Sequence, residues 1–153
     1  MKATTLLEQQ HRNLQQLCEV VERGSANIRR SLLPQLAGDL AAYLAVEEQV
    51  FYPAASAALH EPSWVSSAGS WHARALRALH RALDAAVDGE EFEQAIVELR
   101  TVIALHVVED EQLLFPRLER ALDAGAMRQL GLSMMALYEA KLEAGYVAPV
   151  RSA

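Results

Sequence analysis

The chain has 153 residues, the length of one ordinary domain built around a single hydrophobic core. It is 52% hydrophobic and rich in the strong helix formers Ala, Leu, Glu, Gln and Arg, with only 6% aromatic residues, so an all-α fold is predicted. Fourteen basic residues against twenty acidic give a formal charge of -6 without a basic cluster, which argues against nucleic acid as a partner, and no segment reaches the roughly twenty apolar residues of a membrane span.

A first helix is predicted from a cap at Thr4 or Thr5 to about Arg23, with Leu6, Leu7, Leu14, Leu17 and Val21 on one face and Gly24 as its stop. Cys18 falls on that face and reads as a small buried hydrophobe; as the single cysteine it leaves neither an internal disulfide nor a thiolate cluster. The N-terminal MKATTLLEQQHRNLQQ lacks the apolar core of a signal peptide, so a cytoplasmic protein is expected.

A second helix starts near Ile28 or Pro34, since proline suits a first turn and kinks an interior, and runs to about Leu59. His60-Glu61-Pro62-Ser63 breaks the pattern, and a Ser- and Gly-containing stretch precedes a third helix from near Ser70 to Asp88-Gly89. A fourth spans Glu90 to about Asp123, and a fifth, Met127 to Glu143, is amphipathic and lies across the bundle. Residues 1–146 are expected to form one domain and 147–153 a flexible tail.

An internal repeat organises the chain. The run from Tyr43 through Glu47 and Glu48 to Pro53 aligns without gaps on the run from His106 through Asp110 and Glu111 to Pro116, shifted by 63 residues. Upstream of each lies a helix with one histidine followed by leucines, His11 in the first copy and His72 in the second. The expected architecture is an antiparallel four-helix bundle of two repeated hairpins plus a fifth helix.

Residues four apart on a helix are separated by roughly 40° around the axis and about 6 Å along it, so Tyr43 with Glu47, and His106 with Asp110, can converge on one ion. Four-helix bundles hold metal pairs in this way, on carboxylates and histidines that project inward from facing helices. Glu47 and Asp110 lie in apolar stretches, where an unpaired carboxylate is costly and a cation offsets the cost. Nitrogen and oxygen donors without a thiol suit iron or manganese better than structural zinc.

These residues resemble those of the hemerythrin-like HHE cation-binding domains over roughly residues 5 to 123. The resemblance implies a four-helix bundle holding two non-haem iron ions, oxo- or hydroxo-bridged, with His11, His72 and His106 as terminal ligands and Glu47 and Asp110 as bridges. Glu111 rivals Asp110 for the second bridge. This chain departs from the pattern at position 43, where Tyr43 replaces histidine, and at Leu76, where oxygen-carrying hemerythrins have a further histidine.

Tyr43 has three readings: a phenolate ligand, a buried phenol bonded to Glu47, or a side chain turned to the surface. As a ligand it adds negative charge to the metal core and favours the oxidised state, which tilts the site from oxygen storage towards catalase-like peroxide disproportionation, with Tyr43 holding the oxidised resting state. Hydrogen peroxide, O2 or NO are the small-molecule partners this implies, on a monomer or homodimer. A binding, iron-sensing or iron-handling protein without turnover is the alternative, and a metal-free helical interaction domain a third. His80, some 12 Å along the helix from His72, is expected outside the site, as are the solvated His60 and the packing residues Trp64, Trp71, Met134 and Met135.

Overall fold

The computed structural model describes residues 1–146, so the tail expected over 147–153 lies outside the described residues. In chain order the elements are α1 (Ala3–Arg23), α2 (Ala26–Val46), a π-helical turn (Glu47–Phe51), α3 (Tyr52–Leu59), α4 (Ser63–Asp84), α5 (Glu90–Glu109), a second π-helical turn (Asp110–Leu114), α6 (Phe115–Ala121) and α7 (Ala124–Ala144). Each π turn joins two α-helices into one long, locally widened rod. The four rods α1, α2–α3, α4 and α5–α6 form the bundle, and α7 packs across α1 and α2.

The predicted apolar stripe of α1 is buried, with His11 and Cys18 on the same face. Burial pushes the Cys18 thiol up to about 12, so it stays protonated and acts as a core side chain. Helix α2 begins earlier than either expected start: the Ser25 side chain accepts from the Ile28 N–H at 3.4 Å, and the helix then continues through Pro34. Helix α4 also starts earlier, at Ser63 rather than near Ser70. Pro62 stands at its N-cap and no proline lies within the helix, so the Ser- and Gly-containing stretch continues as helix, steadied where the Trp64 indole donates to Glu61 at 2.8 Å.

The two π turns have a common local cause. Pro53 and Pro116 offer no N–H to the carbonyl four residues before them, and their rings crowd it. The chain widens just upstream, with the Tyr52 N–H donating to the Glu47 carbonyl and the Phe115 N–H to that of Asp110, five residues back in each copy. The repeat is therefore carried into the backbone: both turns begin on the carboxylate that the sequence singles out.

Candidate metal centre

The centre lies between the four rods, at the level of the π turns. His11 comes from α1, Tyr43 from the last turn of α2, Glu47 from the first residue of a π turn, His72 from α4, His106 from the last turn of α5 and Asp110 from the second π turn. All six are buried, with His11, Glu47 and Asp110 showing no exposed surface.

Their polar atoms form one connected cluster. The Tyr43 hydroxyl lies 2.8 Å from His11 Nε2 and 3.0 Å from His106 Nε2. Glu47 reaches His106 Nε2 with Oε1 and His72 Nε2 with Oε2, both at 3.1 Å. Asp110 Oδ2 is 2.9 Å from His106 Nε2 and 3.8 Å from His11 Nε2. One ligand atom from each of His11, Glu47, His106 and Asp110 falls within 4.8 Å of all the others. His72 stands at the edge of this group and joins it through Glu47. Tyr43 is turned inward, so the surface reading of its side chain is not what the structure shows.

Glu111 faces outward from the cluster. Its Oε1 pairs with His11 Nδ1 at 2.9 Å and its Oε2 accepts from Arg12 at 2.7 Å, so it holds the far nitrogen of His11 and leaves Nε2 to the centre. Burial opposes ionisation of Glu111, but the bonds from Arg12 and His11 outweigh it and bring the carboxyl below the usual range. Burial also holds the His11 imidazole below its ordinary value, against the pull of Glu111, which keeps it neutral and able to donate a lone pair.

Two aromatic residues adjoin the centre against expectation: Tyr52 was not singled out in the sequence, and Trp71 was expected outside the site as a packing residue. The Tyr52 hydroxyl donates to Asp110 Oδ1 at 2.8 Å and lies 3.3 Å from His106 Nε2. Trp71 stacks on the His106 ring, with centroids 3.6 Å apart and planes 17° from parallel. In a plain α-helix Tyr52, five residues past Glu47, points about 140° away; the π turn absorbs one residue and returns it to the Glu47 face. Phe115, its counterpart shifted by 63, stacks on His11 at 5.9 Å. The aromatic residue that directly precedes the proline in both copies, Tyr52 and Phe115, was the available signal. His80 pairs with Tyr146 at 2.7 Å away from the centre, and His60 is an exposed left-handed cap of α3.

The chemistry of the cluster fits a metal. Four oxygens, from Tyr43, Glu47, Tyr52 and Asp110, stand within 3.3 Å of His106 Nε2, and a single ring nitrogen cannot satisfy them all. Asp110 Oδ2 is buried without a hydrogen bond, its contact with His106 lying outside hydrogen-bond geometry. Burial raises the Asp110 carboxyl, with the charge of Glu47 adding to it, while His106 and His72 overcome the burial of Glu47 and keep that carboxyl ionised. A cation among these atoms would satisfy the orphaned oxygen and remove the repulsion between the carboxylates. His11, Glu47, His106 and Asp110 are the residues placed to hold one, with Tyr43 and His72 adjoining.

The family model for the hemerythrin HHE cation-binding domain matches residues 2–118. A crystal structure of a hemerythrin HHE cation-binding domain-containing protein from Mycobacterium kansasii shares the fold, with a TM-score of 0.81 at 22% identity over 94% of this chain and 89% of that one. No curated protein matches the chain. The duplicated motif, the helical bundle and the buried cluster of imidazoles and carboxylates agree with the family match: the chain belongs to the hemerythrin HHE cation-binding domain family.

Proposed function

We propose that the chain is a non-haem di-iron protein that reacts with hydrogen peroxide or related small oxidants, in the manner of a catalase. His11, His72 and His106 serve as terminal ligands, Glu47 and Asp110 as bridges, and Tyr43 as a phenolate ligand. The bound iron pair supplies two-electron redox chemistry on a small oxygen-containing substrate.

The observation that carries this reading is the place of Tyr43, whose hydroxyl sits between His11 Nε2 and His106 Nε2. Burial first, then the charges of Glu47 and Asp110, push its phenol well above the ordinary value, so only a neighbouring cation makes it a phenolate. Once ionised it brings one more negative charge than the histidine of the family pattern and favours the oxidised site. The surroundings keep bulk water out: Trp71 covers His106, Phe115 covers His11, and Glu47 and Asp110 have no exposed surface.

The test is oxygen evolution from hydrogen peroxide by the iron-loaded protein, beside Tyr43→Phe and Tyr43→His. Wild type is expected to evolve oxygen and to show a phenolate-to-iron charge-transfer band that Tyr43→Phe loses. A fully loaded wild type that evolves none sinks the enzymatic reading and leaves O2 or NO binding, or iron sensing or handling without turnover, a reading that the sealed carboxylates also suit. A loaded wild type without the band rejects Tyr43 as a ligand.

A further inference from the structure

Of the cluster, His106 retains 4% of its surface and Tyr43 1%, Glu47 and Asp110 none, and His72 at 6% and Tyr52 at 3% retain theirs on the same side of the bundle. Both line one cleft of about 320 Å³ between α4 and the first π turn. Its walls carry Gly69, Ala73 and Leu76, and Glu48 is its acidic side chain. His72 and Tyr52 are also the residues that touch the two buried carboxylates, His72 through Glu47 Oε2 and Tyr52 through Asp110 Oδ1. The cleft floor is thus one side chain away from both carboxylates.

We propose that this cleft is the route by which small molecules reach the centre, with Tyr52 and His72 as its inner gate and Glu48 as a charge filter that favours neutral molecules over anions. The inference rests on the metal-binding reading above and deepens it. The route is narrow because the floor is closed by an aromatic and an imidazole that are each hydrogen-bonded inward; with His72 held as a ligand, passage requires a rotation of Tyr52 and admits molecules of a few atoms. It lies on the α4 side because small residues there leave space: a Cβ added at Gly69 meets nothing within 4 Å. The carboxylate of Glu48, exposed on the π turn, repels an approaching anion and leaves a neutral peroxide or diatomic gas unaffected. On the α1 side His11 has no exposed surface and its outer nitrogen is taken by Glu111.

The experiment measures ligand association by stopped flow on iron-loaded protein, with nitric oxide for the reduced form and azide for the oxidised form. Gly69→Trp fills the cleft from an exposed helical position where a side chain improves on glycine, and Ala73→Phe does so from the next turn if the first variant folds poorly by circular dichroism. Either is expected to slow nitric oxide association at least about tenfold and its dissociation by the same factor, because an obstructed path raises the barrier in both directions and leaves Kd unchanged. Leu132→Trp, on the exposed side of α7, is the control and keeps the wild-type rates. Glu48→Gln is expected to speed azide association about threefold or more at low salt, with nitric oxide unaffected.

Wild-type nitric oxide rates in folded, iron-loaded Gly69→Trp and Ala73→Phe overturn the route. A change in Kd at an unchanged association rate also overturns it, because that pattern marks a distorted site. Unchanged azide rates in Glu48→Gln overturn the filter. Iron content and peroxide turnover are read separately: a protein that loads iron but evolves no oxygen loses the catalase reading while the nitric oxide rates still decide the route, and one that takes up no iron loses both.

Discussion

Tyr52 and Glu111 each hold a member of the cluster from one step outside it, Tyr52 by donating to Asp110 Oδ1 and Glu111 by pairing with His11 Nδ1. Such contacts fix the angle at which a ligand presents its lone pair, and their loss typically costs about 10- to 100-fold in metal affinity. Tyr52→Phe keeps the ring and removes the donor, so iron affinity measured against a competing chelator is expected to fall by about tenfold, with the helical content intact. Affinity equal to wild type would show that Asp110 needs no support from Tyr52. These two residues also mark how far the sequence can be read at this scale. Four-spaced pairs on a helix declare themselves, and so do histidines in apolar stretches; Tyr52 did not, because its spacing is wrong for an α-helix and right only across a π turn. Glu111 was visible as a rival to Asp110, and only the backbone phase at the second π turn separates the inward carboxylate from the outward one.

Between elements, the ends of the bundle are tied by a few specific contacts. The buried guanidinium of Arg29 donates to the carbonyls of Val21 at 3.0 Å, Glu22 at 2.7 Å and Val87 at 2.6 Å, joining the end of α1, the start of α2 and the turn after α4. Arg29→Met keeps much of the apolar stem but strands these carbonyls, and a loss of about 2–3 kcal/mol is expected in urea denaturation. A loss under about 0.5 kcal/mol would mean that water replaces the guanidinium. Gly131 lets α7 approach the start of α1: a Cβ there would collide with the Met1 carbonyl oxygen and stand 3.1 Å from the Ala3 nitrogen. Because the obstacle is backbone, Gly131→Ala is expected to destabilise by about 1–3 kcal/mol despite its better helix propensity, with α7 showing the largest gain in amide exchange. At the same end Glu119 accepts from Thr4 at 2.6 Å and Lys2 at 2.7 Å, and chiefly the Lys2 bond depresses its carboxyl below the usual value. With a folded value below the unfolded one, its contribution is complete above the ordinary glutamate range and fades as pH falls through the folded value. Glu119→Gln should therefore flatten the acid limb of the Tm profile while changing its neutral plateau less; an unaltered acid limb would assign the effect elsewhere.

For the whole molecule, the cluster places polar groups where the bundle would otherwise have apolar packing. A metal that binds only the folded chain adds about 2.7 kcal/mol at a free concentration one hundred times its Kd. At roughly 2–4 °C per kcal/mol for a chain of this size, chelation is expected to lower Tm by about 5–10 °C. Equal melting of loaded and stripped protein would indicate that the cluster is no metal site. The bundle itself was legible from the sequence, because leucine periodicity and the 63-residue repeat both survive in the fold. Less legible were the beginnings of α2 and α4, where Ser25 and Pro62 set the cap and no strong periodic signal marks the first turn.

The π turns add a consequence in terms of insertion and deletion. Each carries one residue more than the α-helical path between the same ends, so removing a single residue, such as Gln49, would restore α-helical phase from that point on. Everything downstream would turn by roughly 100° while Glu47 stayed in place. Which residue faces the centre beyond each carboxylate is thus set by length, independently of substitution at any cluster residue. Two such points, one in each half of a duplicated chain, hold the same register, so that Tyr52 over Asp110 and Phe115 on His11 differ by substitution alone.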